Sequence, residues 1–171
     1  MDHINVKLFA VPGTRVPWPD LIPIFHRWIR ENVLEGTLID VADYAHVPDG
    51  PGVLLVAHDA IFSVDNREGQ PGFLYNQRTS RSGSAIDKLI FAYDQAANAA
   101  KLLEQELPAL RFQHDNFEVF LNDRGTTADA GSVLTAAVEA LCVERFGSSC
   151  VTSEASGDSR HLPRFRVRPA G

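Results

Sequence analysis

Polar and apolar residues alternate, or apolar residues form short runs, over most of this chain, and a helical spacing of apolar residues replaces that pattern three times. Alternation puts successive side chains on opposite faces of a strand, whereas apolar residues three or four apart lie on one face of a helix. Runs of antiparallel strands interrupted by three helices favour an α+β fold over a doubly wound parallel fold. The pattern therefore predicts a largely antiparallel (mixed) sheet of about eight strands, with three helices packed mainly on one side.

The first half of the chain begins with an alternating strand at 4–10, which is followed by an amphipathic helix. Proline is tolerated only near a helix start, so this helix is expected to begin close to Pro23, and Gly36 is expected to end it. A strand at 37–43 comes next. The stretch 52–78 contains three apolar runs with turn-forming residues between them, which predicts an antiparallel meander.

A second helix of about six turns is predicted beyond Ser84. Ser84 and Asp87 have the spacing of a capping box, in which each side chain accepts a hydrogen bond from the backbone of the other residue. Pro108 ends the helix, because proline lacks the N–H that would continue it. The apolar stripe that is expected to face the sheet consists of Ile86, Leu89, Ile90, Tyr93, Ala97, Ala100, Leu103 and Leu107.

The segment 110–122 predicts a β-hairpin with Asp115 and Asn116 as its two-residue loop, since that register gathers the apolar side chains of both strands on one face. A third helix follows, capped by Thr127 and ended by Gly147. Strands at 150–155 and 164–168 close the chain as a pair around a polar loop. The apolar stripe of the third helix consists of Leu134, Ala137, Val138 and Leu141.

Length and charge narrow the functional class. A chain of 171 residues is expected to form one domain, 1–171, and its net charge of −6 repels nucleic acid and anionic lipid over most of the surface. No apolar run approaches the roughly 18 residues of a membrane span, and the N-terminal segment lacks the pattern of a signal peptide. We therefore predict a soluble cytoplasmic protein with no nucleic-acid or membrane partner. In that compartment Cys142 and Cys150 are expected to be reduced core residues.

Candidate chemistry concentrates between residues 40 and 60, where Asp40, Asp43, Tyr44 and His46 lie at the end of one predicted strand and His58 at the end of the next. A carboxylate beside an imidazole can exchange protons or bind a metal ion. One hypothesis is therefore a metal-assisted hydrolase or an acid-base enzyme centred on Asp43, Tyr44 and His46. Asp40 and His58 are further candidate ligand-binding residues.

A carboxylate and two imidazoles also form a ligand set for zinc or iron, which makes Asp43, His46 and His58 the candidate metal ligands. If the strand after Gly52 runs antiparallel to the strand before it, however, His58 finishes near the beginning of that earlier strand and far from Asp43. We therefore favour structural roles in turns for these residues, and we predict no metal and no other cofactor.

Three arginines alternate with apolar residues near the end of the chain, at Arg164, Arg166 and Arg168. Alternation predicts that they share the solvent face of an edge or terminal strand. Charges on an edge strand discourage strand-to-strand aggregation, and that protective role is the favoured interpretation. The alternative is a docking site for an acidic partner or for a phosphate-bearing ligand.

The sequence contains no phosphate-binding glycine motif and no nucleophile elbow. We therefore favour a binding or accessory module that recognises another protein or a small ligand, and a homodimer is one form that such a module can take. The enzyme remains the alternative. Convergence of Asp43, Tyr44 and His46 in a pocket would favour the enzyme, and dispersal of these side chains over turns would favour the binding module.

Overall fold

A computed structural model describes residues 2–122, 130–154 and 164–170. Within them, eight strands form one sheet in the order β2-β3-β4-β5-β1-β6-β8-β7, and every neighbouring pair is antiparallel. The predicted α+β class is confirmed. The strands are β1 (Ile4–Ala10), β2 (Leu38–Tyr44), β3 (Gly52–Ala57), β4 (Ala60–Asp65), β5 (Gly72–Gln77), β6 (Phe112–Leu121), β7 (Cys150–Glu154) and β8 (Arg164–Pro169).

Three helices pack mainly on one face of this sheet: α1 (Trp18–Glu31), α2 (Ala85–Glu106) and α3 (Ala130–Phe146). α1 lies against β2 and β3, while α2 lies against β1 and β5 and also contacts α3. The other face of the sheet is called the open face below. None of the helices in the described part of the chain is long and apolar enough to cross a membrane.

α1 is displaced toward the N-terminus relative to its predicted position. It begins at Trp18 and holds Pro23 inside the helix, where the exposed ring costs one backbone hydrogen bond. It ends at Glu31 because Asn32 takes the left-handed conformation, with φ 50°, and its N–H donates to the carbonyl groups of the last turn. Asn32 therefore ends α1, four positions before the predicted end at Gly36.

α2 confirms the predicted capping box, and most of its predicted stripe is buried. The Ser84 hydroxyl accepts from the Asp87 N–H at 3.2 Å, and Asp87 Oδ2 accepts from the Ser84 N–H at 2.9 Å. Ile86 departs from the stripe, because it is 39% exposed in the first turn. The buried members of the stripe are Leu89, Tyr93, Ala97, Ala100 and Leu103.

The predicted hairpin at 110–122 is wrong, since this segment contains the single ten-residue strand β6. β6 pairs with β1 on one side and with β8 on the other. The pairing of β6 with β1 is irregular between Leu8 and Ala10 of β1. These two residues are two positions apart, whereas their partners in β6, Phe117 and Phe112, are five positions apart, so residues 113–116 form a bulge in β6. Asp115 and Asn116, which predicted a turn, lie instead in this bulge.

The prediction of reduced cysteines is also wrong in this structure, because a disulfide joins Cys142 and Cys150 across a Cα–Cα distance of 5.9 Å. α3 ends before Gly147, whose φ of 68° reverses the chain. That reversal brings the start of β7 beside the last turns of α3. The predicted cap at Thr127 lies outside the described residues, whereas the predicted α3 stripe is buried.

Candidate functional site

The residues of the enzymatic hypothesis lie on the surface at the end of β2. Asp43 is exposed, and its Oδ1 accepts a hydrogen bond from the Ala45 N–H at 2.9 Å, as in a turn. Tyr44 is 46% exposed, and His46 is exposed in the following turn. Asp40 accepts from the N–H of its neighbour Val41. No hydrogen bond joins these side chains to one another in the described part of the chain, and none of them lines the pockets described below.

His58 lies at the opposite end of β2 from Asp43. Asp43 pairs with Val53, and His58 donates its backbone N–H to the Thr37 carbonyl at 2.9 Å. His58 is five positions beyond Val53, which corresponds to about 17 Å of strand. His58 Nδ1 instead lies 2.8 Å from Asp59 Oδ1. Among the described residues no cluster of three or more His, Cys, Asp or Glu could hold a metal ion.

The three arginines of β8 do not lie on a sheet edge, because β8 runs between β6 and β7. The expected edge position is therefore wrong, although β8 is the last strand in chain order, and protection of an edge does not explain these arginines. Arg164 forms ion pairs with Glu118 and Glu68, each at 2.7 Å. Arg166 is half-buried and stacks on a phenylalanine ring, while Arg168 is exposed.

A second polar feature of the open face is a buried ion pair. Lys7 and Asp65 are 3% and 1% exposed, and Nε of Arg67, in the connection between β4 and β5, lies 3.7 Å from Asp65 Oδ2. Burial raises the pKa of Asp65, while the positive charges of Lys7 and Arg67 oppose that shift. The alternating pattern of β1 predicts that Lys7 lies on the polar face of the sheet, but it does not predict that Lys7 is buried there.

A pocket lies on the helix side of the sheet, in the gap between the end of α1 and the first half of α2. We call it the Tyr75 pocket; its volume is ≈ 270 Å³. Its walls come from the α1–β2 connection, the β3–β4 turn, the end of β5 and α2. The lining residues used below are Glu35, Asp59, Phe62, Tyr75, Gln77, Arg81, Phe91 and Gln95.

The base of the Tyr75 pocket is aromatic. The Phe62 and Tyr75 rings meet edge to face with centroids 5.2 Å apart, and Phe91 of α2 contacts Tyr75 with centroids 6.5 Å apart. Tyr75 is 3% exposed, and burial raises its pKa to about 12, so its hydroxyl is neutral at physiological pH. That hydroxyl makes no hydrogen bond within the described part of the chain, and it can therefore donate to or accept from a bound molecule.

Gln77 supplies an uncommitted buried acceptor to this pocket. Its Nε2 donates to the Thr79 carbonyl at 3.0 Å, whereas its Oε1 is buried and has no partner among the described residues. A buried polar atom without a partner costs roughly 1–3 kcal/mol, so it requires an explanation. A ligand that donates a hydrogen bond to this oxygen would remove that cost. The sequence analysis missed Gln77 because it ends a strand whose pattern indicates only packing.

The rim of the Tyr75 pocket is charged. Glu35 accepts from Gln95 at 3.3 Å. Asp59 accepts from His58 and from Thr79, and the hydrogen bond from His58 is the main cause of the lowered pKa of Asp59. Arg81 stacks over the Phe91 ring at 3.6 Å. Two carboxylates and one guanidinium thus surround the opening, which gives the rim a net negative charge.

A larger depression of ≈ 740 Å³ surrounds Trp18 at the other end of the sheet. It is lined mainly by proline and by other residues of the β1–α1 connection, and none of its described lining residues carries a buried polar atom without a partner. The Tyr75 pocket is therefore the stronger candidate, because it combines buried walls with polar groups that the fold leaves unused.

Neither a protein-family model, nor a curated protein, nor a solved structure matches this chain significantly.

Proposed function

We propose that this protein is a binding module that takes up a small polar molecule in the Tyr75 pocket. The observation that carries the proposal is the buried Gln77 Oε1, which points to a missing hydrogen-bond donor. A pocket of ≈ 270 Å³ is small compared with the sites of drug-sized ligands. The proposed ligand is correspondingly a compact molecule.

The chemistry of the walls narrows the ligand further. Gln77 Oε1 and the Tyr75 hydroxyl favour a molecule with an N–H or O–H group, and the aromatic base favours a flat or apolar portion beside it. The carboxylates of Glu35 and Asp59 oppose an anionic ligand. We therefore favour a neutral or cationic molecule that donates hydrogen bonds.

Binding is favoured over catalysis because the described lining of the pocket contains no histidine, cysteine or lysine. Proton transfer near neutral pH or nucleophilic attack would ordinarily require one of these groups, or a carboxylate with a raised pKa. The pKa of Asp59 is instead lowered. The polar groups of the pocket are thus suited to recognition.

A ligand screen observed by NMR tests this proposal. Small amines, amides and alcohols are added to the ¹⁵N-labelled protein, and we expect saturable shifts of the Gln77 side-chain amide and of the backbone amides around Tyr75. Gln77→Leu removes the acceptor, and one neutral hydrogen bond corresponds to a loss of affinity of about fivefold.

Asn76→Leu is the matched control, because Asn76 is the preceding residue of β5 and lies on the open face. This control should retain the wild-type affinity. A screen in which no compound shifts the pocket resonances, or in which binding survives Gln77→Leu unchanged, would contradict the proposal.

A further inference from the structure

A third cavity lies between the β1–α1 connection and the start of β5, where it shares Thr14 and Pro71 with the depression around Trp18. Its volume is ≈ 340 Å³, and it shares no lining residue with the Tyr75 pocket. Phe9 of β1, Gln70 of the β4–β5 connection, Gln113 of β6 and Arg166 of β8 all line it. Four separate segments thus meet around the guanidinium of Arg166, and we call this space the Arg166 cavity.

Arg166 is held in place by neutral groups. Its guanidinium lies 3.3 Å from the centroid of the Phe9 ring. Its Nε donates to Asn116 Oδ1 at 2.7 Å, and its Nη1 donates to Gln70 Oε1 at 3.2 Å. Its Nη2 makes no hydrogen bond within the described residues. These neighbours therefore orient the side chain and use two of its five N–H groups, which leaves three without a partner among the described residues.

The amides around Arg166 form a continuous chain that starts in the bulge of β6. Asn116 Nδ2 donates to Gln113 Oε1 at 2.9 Å, and Gln113 Nε2 donates to the Ala10 carbonyl at 3.1 Å. Because each amide donates through its nitrogen in the direction of Ala10, its oxygen faces the preceding donor, on the side of Arg166. The bulge thus places an acceptor against Arg166 without placing a negative charge there.

Within the described residues, no ion pair neutralises the charge of Arg166. Glu118 and Glu68, which form ion pairs with β8 in the described structure, both pair with Arg164. Arg168 is exposed, forms no ion pair within the described residues and adds a second positive charge. Burial and the charge of Arg168 lower the pKa of Arg166, whereas Glu118 favours its charged form. An arginine nevertheless stays protonated at physiological pH.

We propose that the Arg166 cavity is a binding site for a small oxyanion, which is the carboxylate or phosphate group of a soluble metabolite. A guanidinium that is oriented and half-buried among neutral neighbours can form strong, charge-assisted hydrogen bonds with a bound anion. The anion accepts hydrogen bonds from Nη2 and from the second hydrogen of Nη1. This site is independent of the Tyr75 pocket, whose rim repels anions.

Titration with inorganic phosphate and with succinate, followed at the Arg166 Nε–H resonance, tests the site. We expect a saturable shift with at least one of the two probes, and the probe that binds identifies the preferred group. Sodium chloride at equal ionic strength is the control for screening. A shift that follows salt alone overturns the proposal.

Two variants test the proposal from opposite directions. Arg166→Gln removes the charge, and Asn116→Asp keeps Arg166 but supplies a carboxylate to its Nε. Each should weaken binding about tenfold or more, because hydrogen bonds to charged groups are among the stronger ones. Asn76→Asp makes the same charge change elsewhere on the open face and should retain most of the affinity. Equal loss in both aspartate variants, or saturable binding that survives Arg166→Gln, overturns the proposal.

Discussion

Lys7 Nζ lies 2.6 Å from Asp65 Oδ1, and both side chains are almost completely buried on the sheet face that carries no helix. The contact is a close ion pair, and the hydrogen bond and the charge of Lys7 both favour the ionised form of Asp65. Removing Asp65 leaves the buried Lys7 without this partner, and removing Lys7 leaves the buried Asp65 facing the more distant, partly exposed Arg67 at 3.7 Å, so either single change is costly.

Replacing Lys7 by Met should therefore lower the free energy of unfolding by about 3–5 kcal/mol, as measured by urea denaturation. The double variant Lys7→Met/Asp65→Leu should recover most of that loss, since it removes both charges. If the double variant is as unstable as the two single variants added together, the two groups are not coupled.

Asp65 also makes stability depend on pH in an unusual direction. Its pKa in the folded state is raised above 3.8, so the folded protein holds the proton more tightly than the unfolded chain does. The free energy of unfolding of the wild type should therefore fall, relative to Asp65→Asn, as pH rises through the interval between these two pKa values. A difference that is constant or rises with pH would contradict the assigned cause.

The stripe of α2 provides a matched pair of variants. Leu89 is fully buried, and Leu89→Ala should lower the free energy of unfolding by about 2–5 kcal/mol. Ile86→Ala, at the exposed end of the same stripe, should change it by no more than about 0.5 kcal/mol. Equal losses at the two positions would show that α2 packs in a different rotation.

The disulfide should be detectable by alkylation and mass spectrometry of protein that was unfolded without reductant. We expect no alkylated cysteine before reduction, and reduction should lower the free energy of unfolding by about 2–3 kcal/mol, because the closed loop is short. Two alkylated thiols in unreduced protein would contradict the bond. The same measurement on protein taken from cells bears on the predicted cytoplasmic location, where thiols are normally reduced.

The zinc content of the purified protein tests the metal-dependent form of the enzymatic hypothesis. We expect no stoichiometric zinc in the purified protein, because Asp43 and His58 lie at opposite ends of β2. Elemental analysis checks this directly. Bound zinc that disappears in His46→Ala, but not in the control His26→Ala on exposed α1 surface, would restore the metal site to consideration.

Periodicity alone was sufficient for the elements in which local signals agree with one another. The capping box of α2 joins residues three positions apart, and the β3–β4–β5 meander and the β7–β8 pair join strands that follow one another in the chain. The α+β class follows in turn, because antiparallel neighbours and three helices admit few other layer arrangements.

Where the local sequence is compatible with two structures, contacts between distant segments determine which one forms. A hairpin and a long bulged strand place the same apolar residues of 110–122 on the core face, and only the presence of β1 and β8 on both sides selects the strand. The disulfide likewise depends on how the chain reverses after α3.

The candidate sites depend on distant segments in the same way. Gln77 is an ordinary strand residue until α2 and the α1–β2 connection close the pocket around it, and Arg166 is an ordinary arginine until β1 and the bulge of β6 surround it. Sequence patterns record which face a side chain takes. What covers that face, and whether its polar atoms find partners, is a property of contacts between residues far apart in the chain, which periodicity does not encode.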